Sequence, residues 1–170
     1  MTQTNEIKIS TGYRDELIGS VTALHSRVYS EIAGFGAHFE AMAATNFANF
    51  INRLDYDGNE TWYAERDGAI VASISIDGQT KGDSRGYLRW FIVDPAYQSE
   101  GLGGKMMELA MEFCDAQGFE EVHLDTFAGL DAARKLYEKH GFELALEEPG
   151  RNYGEEVLEQ KFIRYKQGPA

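Results

Sequence analysis

From Asp94 to Met107 the sequence reads DPAYQSEGLGGKMM, with three glycines and a lysine between Gly101 and Lys105. An apolar run precedes this stretch and a helical periodicity follows it at once. Backbone this bare lets a phosphate approach its amides, and a helix N-terminus adds about 0.3 to 2 kcal/mol for an anion. Three kinds of loop compete for the spacing. A nucleoside-triphosphate P-loop needs a glycine five residues before Gly104 and a Ser or Thr after the lysine, and the chain has Ser99 and Met106 there. A dinucleotide fingerprint needs a glycine three residues beyond Gly103, again Met106, and should follow the first strand of a βαβ unit. What remains is Gln98-x-x-Gly101-x-Gly103 at a strand-to-helix junction, a pyrophosphate cradle or a tight turn alone.

The elements that hold this loop are legible from periodicity. A short strand over Ile7–Ile9 leads, through Ser10 or Thr11 as a cap, into an amphipathic helix from Tyr13 to about Ser30. Gly34 and Gly36 break it, and a second helix carries Phe39, Met42, Ala43, Phe47, Phe50, Ile51 and Leu54. Then the period becomes two. Thr61–Glu65 and Ala69–Ile76 form a hairpin around Asp67-Gly68, and GYLRWFIV makes a third strand that stops at Asp94-Pro95. A helix from about Gly103 to Gln117 is capped by Gly118, and EEVHLDTF is a strand. LDAARKLYEKH is a helix ended by Gly141, and Phe142–Leu146 with Val157–Tyr165 closes an antiparallel pair. Three strands in series before the glycine loop exclude a doubly wound fold and predict one α+β domain over residues 1–170.

Composition narrows the function classes. The 170 residues suffice for one core, and a net charge of -12 opposes binding to nucleic acid or anionic membranes. No signal peptide or membrane span is visible, so the expected compartment is cytoplasmic. The single cysteine, Cys114, lies on an apolar helical face and is expected to be buried and inert. No metal site is expected.

On these residues the chain resembles the GCN5-related N-acetyltransferase (GNAT) family, whose acetyl-CoA loop reads Gln or Arg, two residues, Gly, one residue, Gly or Ala. YLRWFIVDPAYQSEGLGGKM looks like the family's fourth strand, loop and third helix, HLDTF like its fifth strand, and AARKLYEKHGF like its next helix. More narrowly, LHSRVYSEIAGF with HFEAMAATNFANF resembles the acetyltransferase domain of MarR-GNAT fusion proteins. The resemblance implies a mixed, mostly antiparallel sheet of about seven strands flanked by about four helices. It implies an enzyme that uses acetyl-CoA, releases CoA, and acetylates a primary amine directly in a ternary complex. It also leaves a homodimer open.

Carried over by position, Phe91, Ile92 and Val93 offer backbone groups to the pantetheine arm. Gln98, Ser99, Glu100, Gly101, Leu102, Gly103 and Gly104 hold the pyrophosphate, and Tyr137 protonates the departing thiolate as general acid. Leu130 stands where many relatives carry asparagine, a departure that puts the cofactor hydrogen bond made there in question. Some relatives use a glutamate base on the fourth strand, but Tyr87 occupies that position and strict alternation gives it Arg89 and Phe91 as same-face neighbours. Glu31, Glu40, His25, His123, Asp125 or a water relay are left as bases. Arg89, in an otherwise apolar strand, meets either an acceptor carboxylate or one of the chain's acids. His25 and Tyr29 share a helical face with Glu31 and Phe35 close by, and with Tyr153 they are the candidate acceptor wall. A small, amino-acid-like amine is the expected acceptor; a protein N-terminal or lysine amine, and a silent acyl-CoA sensor, are the alternatives.

Overall fold

The computed structural model describes residues 6–78 and 84–167. In chain order the elements are β1 (Lys8–Thr11), α1 (Leu17–Ala33), α2 (Ala37–Ile51), β2 (Glu60–Arg66), β3 (Ala69–Asp77), β4 (Arg85–Val93), a 3-10 helix (Pro95–Glu100), α3 (Leu102–Gln117), β5 (Glu121–Phe127), α4 (Asp131–Lys139), β6 (Phe142–Gly150) and β7 (Val157–Tyr165). The strands form one sheet in the order β1-β2-β3-β4-β5-β7-β6. The expected α+β fold is the one observed.

Several boundaries differ from expectation. Ser10 and Thr11 do not cap α1; they belong to β1, paired with Tyr63 and Trp62 of β2. The helix starts only at Leu17, after Glu16 in a left-handed conformation with no side-chain cap. The second helix stops at Ile51, three residues before Leu54, and β6 runs on to Gly150. Pro149 is tolerated in β6 because this is an edge strand, where a missing N–H costs no ladder bond. The β2–β3 hairpin is as expected, with Asp67 (φ 51) and Gly68 (φ 81) in the positive-φ pair of a type I′ turn.

Two apolar layers sandwich the sheet. On one face α3 contributes Met106, Met107, Ala110, Met111 and Cys114 to a core completed by Ile74, Ile76, Leu124 and Phe162. On the other, α1 and α2 pack Leu17, Val21, Leu24, Phe47 and Phe50 against Tyr63, Ile70 and Ile92.

β4 sits at the only parallel junction among the described strands. Its pairing with β5 lasts for Arg85↔Glu121, Gly86↔Val122 and Tyr87↔His123, after which the two strands part. Gly86 serves the paired end: a Cβ there would stand 2.8 Å from the Phe119 ring that packs over it. On the other edge, the β3–β4 register slips between Ser73↔Ile92 and Ser75↔Arg89, so β4 carries one extra residue. Trp90 absorbs the bulge at φ 48, and its carbonyl accepts a 2.6 Å hydrogen bond from Ser73 Oγ. The bulge breaks the alternation. Trp90 packs with the α1/α2 layer whereas Phe91 packs with the α3 layer, so Phe91 is not a same-face neighbour of Arg89 as strict alternation predicts.

At the end of β3, Asp77 is fully buried and its two carboxylate oxygens accept from Arg53 at 3.0 and 3.1 Å. Arg89 approaches the same carboxylate at 3.8 Å, beyond hydrogen-bond length. Removing one partner from a buried pair leaves an uncompensated charge. Arg53→Met is therefore expected to cost about 3 kcal/mol in urea denaturation; a loss below about 1 kcal/mol would show that Arg89 and solvent carry Asp77 without it.

Candidate active site

Where β4 and β5 part, two cavities open. The larger, about 1060 Å³, is bordered by Phe91, Ile92 and Val93 on β4, by Gln98, Gly101, Gly103, Gly104 and Lys105 at the start of α3, and by Leu130 to Leu136, without Arg134, and Tyr137 on the α4 side. The smaller, about 280 Å³, lies toward α1 and α2 and is walled by His25, Tyr29, Phe39, Asn46, Tyr87, Arg89, Trp90, Asp125, Thr126, Phe127 and Tyr153 among others. Tyr29, Phe91 and Tyr137 border both. These three side chains mark the junction.

The glycines of the loop divide their work. Gly101 takes φ 73 and a Cβ there would meet nothing within 4 Å, which leaves its surface free for a ligand. Gly103 is different: a Cβ would lie 3.0 Å from Leu136 and 3.5 Å from Val93, so this glycine brings α3 against α4 and β4. Ser99, Glu100 and Leu102 do not border the groove. The first two lie in the 3-10 helix, Glu100 meets Arg66 at 3.9 Å, and the Leu102 side chain is in the core. Gln98 donates to the Val93 carbonyl at 3.3 Å and so ties the loop to the end of β4. Lys105, Lys135 and Lys139 add positive charge to the border of the groove. The two α4 lysines escaped the sequence reading because their spacing of four also suits a solvent face.

Tyr137 is buried, with its ring against Phe91, Phe142 and Phe162 at 5.6 to 6.1 Å. Burial first, and then the nearby Tyr29 and Tyr153 phenols, hold its pKa far above the ordinary tyrosine range, against the pull of a hydrogen bond to the Thr126 hydroxyl. Burial likewise raises Tyr29 to about 12. Both are neutral phenols, able to donate a proton.

The acceptor-wall candidates separate cleanly. Tyr29 meets Phe35, Phe39 and Phe127 edge-on at 5.3 to 6.1 Å, and Tyr153 stacks on Phe35 with centroids 5.4 Å apart. Phe35 thus supports the wall from behind. Glu31 and Glu40 are exposed and border neither cavity, because their helical phase turns them to solvent. His123 also borders neither; its Nε2 is paired with Glu121 at 2.6 Å. Of the candidate bases, His25 and Asp125 border the smaller cavity. Cys114 is buried, and desolvation lifts its thiol to about 12, as befits an inert core cysteine.

The β4–β5 pair thus splays beside a glycine-bordered helix N-terminus, and a tyrosine lies where the two cavities meet. The chain belongs to the acetyltransferase (GNAT) family, whose model matches residues 27–142. Among curated relatives it is 34% identical over 87 residues to the uncharacterized N-acetyltransferase YjgM of Escherichia coli, covering 51% of this chain and 52% of that one. It is 26% identical over 119 residues to the probable N-acetyltransferase camello of Xenopus laevis, covering 70% and 53%. The chain thus spans about half the length of these two relatives. Among solved structures, yncA from Salmonella typhimurium with its cofactor acetyl-CoA superposes with a TM-score of 0.74 at 15% identity, covering 97% of this chain and 96% of that one. No described helix is long and apolar enough to cross a membrane.

The buried histidine yields a pH prediction. Desolvation, against a hydrogen bond with the Val21 carbonyl, lowers His25 to about 4. The unfolded chain takes up this proton near pH 6.5 and the folded one only near 4, so stability falls as pH drops through that window, by up to about 3 kcal/mol. In denaturation at pH 7 and pH 4.5, His25→Phe is expected to lose correspondingly less than the wild type. Equal losses would contradict it.

Proposed function

We propose that the chain transfers the acetyl group of acetyl-CoA to the primary amine of a small, amino-acid-like molecule, with both substrates bound at once. The observation that carries this reading is the meeting of a long, lysine- and glycine-bordered groove with a compact aromatic cavity at Tyr29, Phe91 and Tyr137.

The residues fit acetyl-CoA. Beyond Tyr87 the β4 backbone has no β5 partner, so groups of Phe91, Ile92 and Val93 face the gap where the pantetheine amides find hydrogen bonds. The amides at the start of α3 and the Lys105, Lys135 and Lys139 ammonium groups receive the phosphates. Leu130 borders the groove but offers only an apolar contact where many relatives have an amide.

Acetyl-CoA supplies an activated thioester. The amine nitrogen bonds to its carbonyl carbon as the carbon–sulfur bond breaks. Tyr137 hands its proton to the sulfur, and the proton that the nitrogen loses restores the phenol. No acetyl group passes through Cys114, which is buried in the α3 layer.

Arg89 argues for the acceptor class. Asp77 is already paired with Arg53 through two short bonds, so the three groups together carry one net positive charge, and Arg89 is the member on the cavity wall. Its guanidinium stacks at 5.6 Å on Tyr87 and Trp90, which orients it without using its donors. A carboxylate on the acceptor uses them, while the aromatic wall takes an apolar side chain.

The test is acetylation across free amino acids, simple amines and peptides, with L-phenylalanine and 2-phenylethylamine as a pair that differs by the carboxylate. The amino acid is expected to be the better acceptor, and Arg89→Ala to raise its KM about tenfold while leaving the amine unchanged. Tyr137→Phe is expected to lower kcat about 100-fold with little change in the KM for acetyl-CoA. Acetylation confined to peptides would move the acceptor to a protein amine, and tight CoA binding with no thiol release on any amine would make the chain a sensor.

A further inference from the structure

His25 is 4% exposed and forms part of the wall of the smaller cavity, one helical turn from Tyr29, whose ring its imidazole meets edge-on at 5.9 Å. Its Nδ1 lies 2.8 Å from the Val21 carbonyl oxygen. A carbonyl only accepts, so Nδ1 carries the hydrogen and donates, and in the neutral ring Nε2 is a bare lone pair. That lone pair is buried and has no hydrogen-bond partner in the structure. A polar atom left so in a protein interior is an exception that asks for a donor from outside the chain.

Among the described residues on this wall, the charged groups are Arg89 and Asp125 and the rest are mainly aromatic. Asp125 is mostly exposed and faces Lys161 at 4.0 Å, so it is not the interior acceptor. Arg89 is a donor only, while the neutral Tyr29, Tyr137 and Thr126 hydroxyls and the Asn46 amide donate as well as accept. An incoming amine needs an acceptor for its own N–H, and among these described wall residues only His25 has a buried side-chain polar atom without a partner.

We propose that His25 Nε2 accepts a hydrogen bond from the attacking nitrogen of the acceptor and thereby aims that nitrogen's lone pair at the junction of the two cavities. The inference rests on the acetyl-transfer reading above and gives it a residue on the acceptor side. Holding one N–H of a primary amine at Nε2 leaves the nitrogen free to turn its single lone pair toward Tyr137 and Phe91. The depressed basicity of this imidazole keeps it neutral, and hence an acceptor, over the whole range in which the amine is reactive. His25 holds the nitrogen; it does not have to keep the proton.

The experiment uses L-phenylalanine as probe. His25→Phe keeps the ring volume and removes the lone pair; it is expected to raise the KM for L-phenylalanine at least tenfold with the KM for acetyl-CoA within twofold of the wild type. His25→Gln, which returns an acceptor oxygen, is expected to recover part of the loss. Independently of activity, wild-type protein labelled with 15N-histidine and saturated with CoA is expected to show the His25 Nε2 resonance shifting as L-phenylalanine is added, while the Nδ1–H signal stays. That spectrum decides the matter even if His25→Phe does not fold. Wild-type acetylation that His25→Phe leaves intact, or an Nε2 resonance that does not move, overturns the role of His25 alone. Absence of wild-type acetylation on every amine overturns the functional reading as well.

Discussion

The parting of β4 from β5 after three register pairs is the constraint on which the rest of the structure depends. Two parallel strands in the middle of a sheet ordinarily satisfy each other's backbone groups along their length. Here each keeps its other neighbour, β3 for one and β7 for the other, so the groups that face the gap must find partners outside the sheet. The paired end is pinned by Phe119 against Gly86, and the open end is held apart by the Trp90 bulge locked onto Ser73. A sheet built this way has a notch in its centre without surrendering its core on either face.

Much of this was legible in the sequence, and the exceptions share a cause. The hairpin at Asp67-Gly68, the strand–loop–helix unit from Arg85 to Gln117 and the buried thiol of Cys114 follow from local pattern and turn chemistry. The bulge does not. Trp90 is an ordinary strand residue by type, and only its partner Ser73, seventeen residues earlier, reveals the positive φ. The Arg53–Asp77–Arg89 cluster likewise joins the end of α2, β3 and β4, which no spacing links. In the first helices the periodicity found the aromatic face but not its phase, so Glu31 looked close to the site although it points to solvent.

The two cavities share Tyr29, Phe91 and Tyr137. The larger draws on α1, β4, the glycine loop, α3 and α4. The smaller draws on α1, α2, β4, β5, Tyr137 of α4 and the connection between β6 and β7. At their boundary, burial keeps the Tyr29 and Tyr137 phenols protonated.

Tyr153 has a consequence for the order in which the molecule becomes complete. Every residue bordering the larger groove lies between Val28 and His140, whereas the aromatic wall of the smaller cavity closes only with Tyr153, stacked on Phe35 more than a hundred residues upstream. A chain made from its N-terminus therefore acquires the whole surface of the first pocket before the last wall of the second. Two rings far apart in the chain, Phe35 and Tyr153, thus stack to complete one wall of the smaller cavity.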